Sequence, residues 1–397
     1  MVKVLSLEED FLLTLMEFEI DSAKKEKIIE LINQGVEWTK ISRVAQASGL
    51  APLFYKNLQT LNLIEFVPED IVQRFKNKYV KTLFENLKKV KYFELIISEL
   101  NKNNIDFIPL KGIYLIPTFY QDFGLRSMSD IDVLVRVNDV EKCKEIFLKQ
   151  DWKIKDIYHT DSIKKLNLSY TPYVFFKDGM KIDFHQNLYH SGARFEVPIE
   201  DLWSRSKNQK FLSGNSSQLS HEDLILHQIL HLYKHLIVGQ FCFKSFIDIV
   251  TLIIKSNHAF NESFFLELVQ KYNCKHEVLL INNLLKTYFS IEIITQNEKQ
   301  KLNKEVDIDL IFRSLLNGES KKVKDFLKKN KIVYITPTDR LKQINGTKNT
   351  IIYVLGNLFP NKKYMVERYQ IKKKYKFVYF YFYRLFTILT GQTHLKP

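Results

Sequence analysis

The tightest constraint in this chain is the run Ser129-Asp130-Ile131-Asp132-Val133-Leu134-Val135. Its β-branched and apolar residues predict a strand, and a strand has a side-chain period of two. Asp130 and Asp132 then emerge on one face, with Ile131, Val133 and Val135 on the other. Neighbouring carboxylates on one face repel unless something cationic lies between them. A pair of hard divalent ions, Mg²⁺ above all, would reconcile them. Bulk water would do the same if the run were a solvated edge strand with ordinary surface acids.

The flanking segments favour the first reading. Residues 105–110 predict a short strand ending at Lys111-Gly112, and 113–120 return to helical spacing. A strand that turns through Lys-Gly into a helix points free backbone N–H groups outward, where a phosphate fits. Glycine admits a ligand close to the backbone, and lysine adds a point charge. The loop 121–129 carries Arg126, Ser127 and Ser129 straight into the Asp-x-Asp run. Residues 139–150 then predict an amphipathic helix and 152–157 a strand. Two alternating apolar runs around Asp178-Gly179 predict a hairpin. On its second strand Ile182 and Phe184 face one way, and Asp183 and His185 the other. A third carboxylate thus enters the same sheet, unless it is one more polar residue on a half-solvated face.

The rest of the chain is helical in pattern. Within 7–104, Ser6 is an N-cap candidate, Gly49 a stop, and 69–103 the longest helix. That helix has a stripe of Phe75, Tyr79, Leu83, Leu87, Val90, Phe93, Ile97 and Leu100, closed by Asn104 as a left-handed cap. Residues 195–212 read as mixed and 213–217 as a turn-rich break. Ser220 then caps a helix whose first turn holds Glu222 and Asp223. His227, His231 and His235 follow at spacings of four. They could hold a transition metal, line a cleft as a polar stripe, or simply pack. The expected organisation is an N-terminal helical region (1–104), a core (105–212), a C-terminal helical domain (213–345) and a basic aromatic tail (346–397).

Charge narrows the partners. The net charge of +14 favours anionic ligands and says nothing about the fold. Residues 361–397 hold nine Lys/Arg against one Glu, interleaved with aromatics. RNA stacking, an anionic membrane surface and plain packing on the core all suit that composition. Cys143, Cys242 and Cys274 are isolated, which argues against a disulfide framework and for a reducing cytoplasm. With no signal-peptide pattern and no apolar run of about 20 residues, a soluble or peripherally membrane-bound chain is expected.

These motifs together resemble the nucleotidyltransferases of the DNA polymerase β superfamily. More closely, the chain is similar to an uncharacterised nucleotidyltransferase-like family found in bacterial polysaccharide and peptide-modification gene clusters. The resemblance rests on Leu110-Lys111-Gly112, on Tyr120-x-Asp122-x-Gly124-x-Arg126, on Asp130-Ile131-Asp132 and on Asp183-Phe184-His185, and extends over about 6–254. Where the superfamily usually has Gly-Ser at the phosphate turn, this chain has Gly112-Ile113. The resemblance implies an α+β fold, a small mixed sheet flanked by helices. It implies transfer of a nucleoside monophosphate from an NTP to an acceptor hydroxyl, releasing pyrophosphate, with two Mg²⁺ (or Mn²⁺) ions. Asp130 and Asp132 would hold both ions and Asp183 the catalytic one; Asp106 and Asp161 are alternative third acids. Lys111, Gly112 and Arg126 would hold the triphosphate, with Ser127 and Ser129 on the same loop. His185, His231 and His235 would line the acceptor side. The acceptor (sugar, peptide, RNA or protein) stays open. A catalytically silent nucleotide binder, or an RNA- or membrane-surface-binding protein of the same fold, is the competing expectation.

Overall fold

A computed structural model describes residues 5–16, 21–155, 173–189, 195–238, 243–256, 259–295, 307–317, 319–329, 346–371 and 376–389. Its central element is one five-stranded sheet of β1 (Phe107–Leu110), β2 (Ile131–Val135), β3 (Lys153–Lys155), β4 (Tyr173–Lys177) and β5 (Met180–His185), in the order β1-β2-β5-β4-β3. With 17 α-helices among the described residues, the fold is α+β, as expected. β2 has a neighbour on each side and every residue of it is buried. The solvated edge strand is thereby excluded. β4 and β5 pair antiparallel with Lys177 opposite Met180. That register leaves Asp178 and Gly179, at φ 50° and 76°, as the two-residue turn that Asp-Gly favours.

The chain forms two compact units, one of 1–102, 108–132 and 195–334, the other of 103–107, 133–194 and 335–397. The first unit begins with α1 (Leu7–Leu15), α2 (Ser22–Asn33), α3 (Trp38–Ser48), α4 (Ala51–Thr60) and α5 (Glu69–Lys102). Ser6 and Glu9 form a reciprocal capping box on α1, and Gly49 closes α3 at φ 77°. Asn104, just past α5, is left-handed as expected (φ 52°). The face that α5 buries differs from the expected stripe. Leu87 is 43 % exposed, whereas Thr82, Asn86 and Lys89 are buried. The reason is polar: mid-helix, α5 meets backbone carbonyls of the loop 121–129, and an amide satisfies them where a leucine would not.

After β1, α6 (Lys111–Leu115) is a single turn continued by a π turn at Ile116–Tyr120, in place of the regular helix expected there. Pro117 sits in that turn, and Gln121 ends it at φ 57°. In the second unit, α7 (Val140–Lys149) buries Val140, Cys143 and Phe147. Phe147, Phe175 and Phe184 form an aromatic cluster with ring centroids 5.0–5.4 Å apart. This fixes the apolar side of β5 and hence the opposite side on which Asp183 and His185 emerge.

The chain returns to the first unit with α8 (Ile199–Arg205), and then corrects the turn-rich reading of 213–217. β6 (Lys207–Phe211) and β7 (Gly214–Gln218) form an antiparallel hairpin. Its polar sequence hides the alternation, but Asn101 on α5 brackets Asn215 with two hydrogen bonds. Next come α9 (His221–Val238), α10 (Lys244–Ser256), α11 (Glu262–Lys271), α12 (Lys275–Phe289), α13 (Ile308–Leu316) and α14 (Ser320–Lys329). Ser220 caps α9 through the Asp223 N–H at 3.1 Å. In the second unit, α15 (Thr347–Leu358), α16 (Lys362–Tyr369) and α17 (Phe377–Leu389) form the tail. Cys143 and Cys274 are free and buried, while Cys242 and Asp161 lie outside the described residues.

Candidate active site

Asp132 is the centre of the site. It is only 2 % exposed, and Lys111 Nζ donates to its Oδ1 at 2.6 Å. Lys111 itself is left-handed, at φ 50°, an uncommon conformation for a residue with a Cβ. That turn ends β1, begins α6 and directs the ammonium to β2. On the neighbouring strand β5, Asp183 and His185 complete a group in which one ligand atom from each residue lies within 4.8 Å of the others. Lys181 Nζ donates to Asp183 Oδ2 at 2.8 Å. Among the described residues, this is the group of His, Cys, Asp and Glu side chains arranged to share an ion.

Asp130 is placed differently. It precedes β2, is half-buried, accepts from Ser129 Oγ at 2.7 Å and stands outside that group. An electrostatic neighbour is Lys89 on α5, whose pKa burial lowers and Glu85 and Asp130 partly restore. Asp106 is an exposed acid 3.7 Å from Arg136.

The loop Tyr120–Arg126 is built from side chains that bind protein. The Arg126 guanidinium grips Asp248 on α10 with two bonds, Nε to Oδ1 at 2.6 Å and Nη2 to Oδ2 at 2.7 Å. Tyr120 donates to the same Oδ1 at 2.7 Å; burial and Asp248 push its phenol well above its ordinary pKa. Asp122 accepts from the Gly124 N–H and from the Tyr79 hydroxyl, and burial, with Asp122, raises the Tyr79 pKa to about 12. Asn86 donates to the Phe123 and Arg126 carbonyls, both at 2.7 Å, and accepts from the Met128 N–H. Lys244 Nζ donates to the Ser127 carbonyl at 2.9 Å. Arg126 and the Ser127 carbonyl thus take part in the frame that holds the loop, while Ser129 bonds to Asp130.

Glycine is needed at 112 for the same frame. A Cβ there would meet Arg126 Nη1 at 2.5 Å and Met128 Cγ at 3.1 Å. The guanidinium is clamped by Asp248 and has little room to yield. Gly112→Ala is therefore expected to cost about 1–3 kcal/mol, read as a lower midpoint of thermal unfolding.

On α9, His231 and His235 are joined Nε2 to Nε2 at 2.9 Å. Burial lowers the His231 pKa well below its ordinary value, with Lys111 and the neighbouring histidines adding to the effect. The three α9 histidines do not form an ion-sharing group. Between them lies Lys234, which the sequence reading passed over. Burial and Lys111 lower its pKa to about 8 while Asp132 opposes the shift.

A family model described as an uncharacterised nucleotidyltransferase matches residues 34–290. The chain belongs to this family. No curated protein and no solved structure matches it. As a family nucleotidyltransferase, the protein has an NTP as its implied substrate, and Lys111 supplies positive charge at Asp132.

Proposed function

We propose that the protein transfers a nucleoside monophosphate from an NTP to an acceptor hydroxyl, with release of pyrophosphate. The observation that carries this reading is Asp132: a carboxylate buried in the middle of a sheet, neutralised by a lysine and grouped with Asp183 and His185. Such a carboxylate is costly to bury without a cation. Two carboxylates and an imidazole are a donor set that suits Mn²⁺ and accommodates Mg²⁺ with water completing the shell. The residues present therefore fit one divalent ion, held by Asp132, Asp183 and His185. Asp130 would serve a second. When bound, such ions supply charge neutralisation for the attacking and leaving oxygens.

The chain's own residues do the rest. Phosphoryl transfer depends on positioning and charge compensation more than on covalent help from the protein. Lys111 would turn from Asp132 towards the triphosphate, and Lys234 would add a second cation. His231 shares a hydrogen bond with His235 and is kept from carrying charge by its burial, which suits the uncharged acceptor side. Asp183 would lie beside the acceptor hydroxyl and accept its proton.

Label from an α-labelled NTP is expected on an added sugar, peptide, RNA or protein acceptor in the presence of Mg²⁺ or Mn²⁺, with no label retained from the γ-position. Nucleotide binding without turnover across all four bases and these acceptors would instead favour a silent binder.

Lys234 adds a pH signature. Its folded-state pKa of about 8 lies below the ordinary 10.5, so the folded protein loses that proton first as pH rises. Stability should therefore increase from about pH 8 towards the ordinary lysine range. Affinity for a triphosphate moves the other way, because only the protonated lysine attracts it. Thus kcat/KM for the NTP should fall as pH rises through about 8. Lys234→Gln should abolish that inflection and lower kcat/KM by about 10- to 100-fold at neutral pH, as expected for losing a charged hydrogen bond. A pH profile unchanged in the variant would remove Lys234 from the site.

A further inference from the structure

The tail has a small core of its own. Met365, Ile371 and Phe380 are buried together, with Tyr364, Tyr369 and Tyr383 packed around them. Arg384 ties α17 to the end of α15 through two bonds to the Asn357 carbonyl, at 2.8 and 2.6 Å, with its guanidinium over the Tyr364 ring. One side of α17 is thus used internally. The other side is apolar and exposed: Val378, Tyr379, Phe382 and Phe386 are 58–68 % accessible. Their spacing puts them on one helical face. Ile351 and Leu355 on α15 and Phe359 at its C-cap follow at spacings of four, each more than half exposed. Such clustering of large exposed apolar residues marks a surface that meets something.

Charge identifies the partner. Residues 346–397 contain ten Lys/Arg and one Glu, and Lys348, Lys362, Arg368 and Lys376 are exposed. A second copy of the same face would bring like charges together. Single-stranded nucleic acid prefers aromatics with cations along the same groove, whereas the exposed stripe of α17 is Val, Tyr and two Phe, with Lys376 at its end. Apolar rings flanked by lysines suit the boundary between acyl chains and anionic headgroups. No helix among the described residues is long and apolar enough to cross a membrane. We propose that α15–α17 dock the protein on the surface of an anionic lipid bilayer, with the exposed rings of α17 entering the interface and the surrounding lysines meeting the headgroups.

The test is flotation of the full chain with phosphatidylcholine vesicles, with and without about one-third phosphatidylglycerol. Binding to the anionic vesicles should exceed binding to the neutral ones by at least about tenfold and weaken with salt. The double variant Phe382→Ser/Phe386→Ser should lose about tenfold or more of that binding, with unchanged thermal unfolding. Lys362→Gln/Lys376→Gln should lose the preference for anionic lipid. Equal flotation of wild type and the phenylalanine variant would overturn the proposal. So would a phenylalanine-dependent dimer on sizing, or RNA binding that the same variant abolishes while lipid binding is absent. Because flotation does not depend on turnover, it is independent of the catalytic reading.

Discussion

Asp132→Asn is expected to lower nucleotidyl transfer by about 10³-fold or more, the scale of losing a charge partner made for the transition state. The substitution keeps the shape of the side chain and removes its charge. Within the fold the loss falls on the 2.6 Å pair with Lys111, whose ammonium is about one-fifth exposed and regains water. A destabilisation of about 1–3 kcal/mol is expected from that loss, far less than would unfold the chain. Activity and stability should therefore separate: transfer disappears while the unfolding transition stays cooperative and moves by only a few degrees. Asp183→Asn should behave alike, because its carboxylate belongs to the same group. Retained turnover in either purified variant would reject the site.

The second large effect is one of stability and concerns Arg126 and Asp248. The pair is almost fully buried, with side-chain exposures of 8 % and 1 %. Its members are 122 residues apart in sequence, so it joins the loop before β2 to α10. Arg126→Met leaves the buried Asp248 carboxylate without its counter-charge, with the Tyr120 hydroxyl still donating to it, and is expected to cost about 3–5 kcal/mol. The unfolding midpoint should fall by roughly 10 °C, at about 2–4 °C per kcal/mol. Arg126→Lys should not restore it, because an ammonium cannot make the two-pronged contact. Arg126→Met/Asp248→Leu should lose less than the sum of the single variants, since neither charge is then stranded. Unfolding of the four proteins in a double-mutant cycle measures this. If Arg126→Lys unfolded normally and only raised KM for the NTP, the guanidinium would belong to the nucleotide instead.

Local periodicity carried much of the fold. The Asp178-Gly179 hairpin, the Ser220 cap, the Asn104 stop and the strand character of β2 follow from rules that span a few residues. What escaped them is long-range or polar. Asn86 reads as one amide on a lysine-rich helix, and its value becomes evident only when the loop carbonyls of Phe123 and Arg126 arrive. Lys234 interrupts an apolar helix and looks like a solvated charge until Lys111 and Asp132 are beside it. β6 and β7 are polar on both faces, so no alternation announces them. Within the site, Asp183 and His185 were legible as a same-face pair because strand period is rigid. Asp130 lies one residue before β2 begins and outside the group that Asp132, Asp183 and His185 form.

The central claim is that Asp132 and Asp183 hold a divalent ion beside an NTP. Crystals grown with Mn²⁺ and a non-hydrolysable NTP analogue test it directly through the anomalous signal of the metal. The account predicts a peak in contact with both carboxylates, Lys111 withdrawn from Asp132, and the α-phosphate bound to the same ion. Mn²⁺ absent from those two carboxylates in a crystal with the nucleotide bound elsewhere would contradict it.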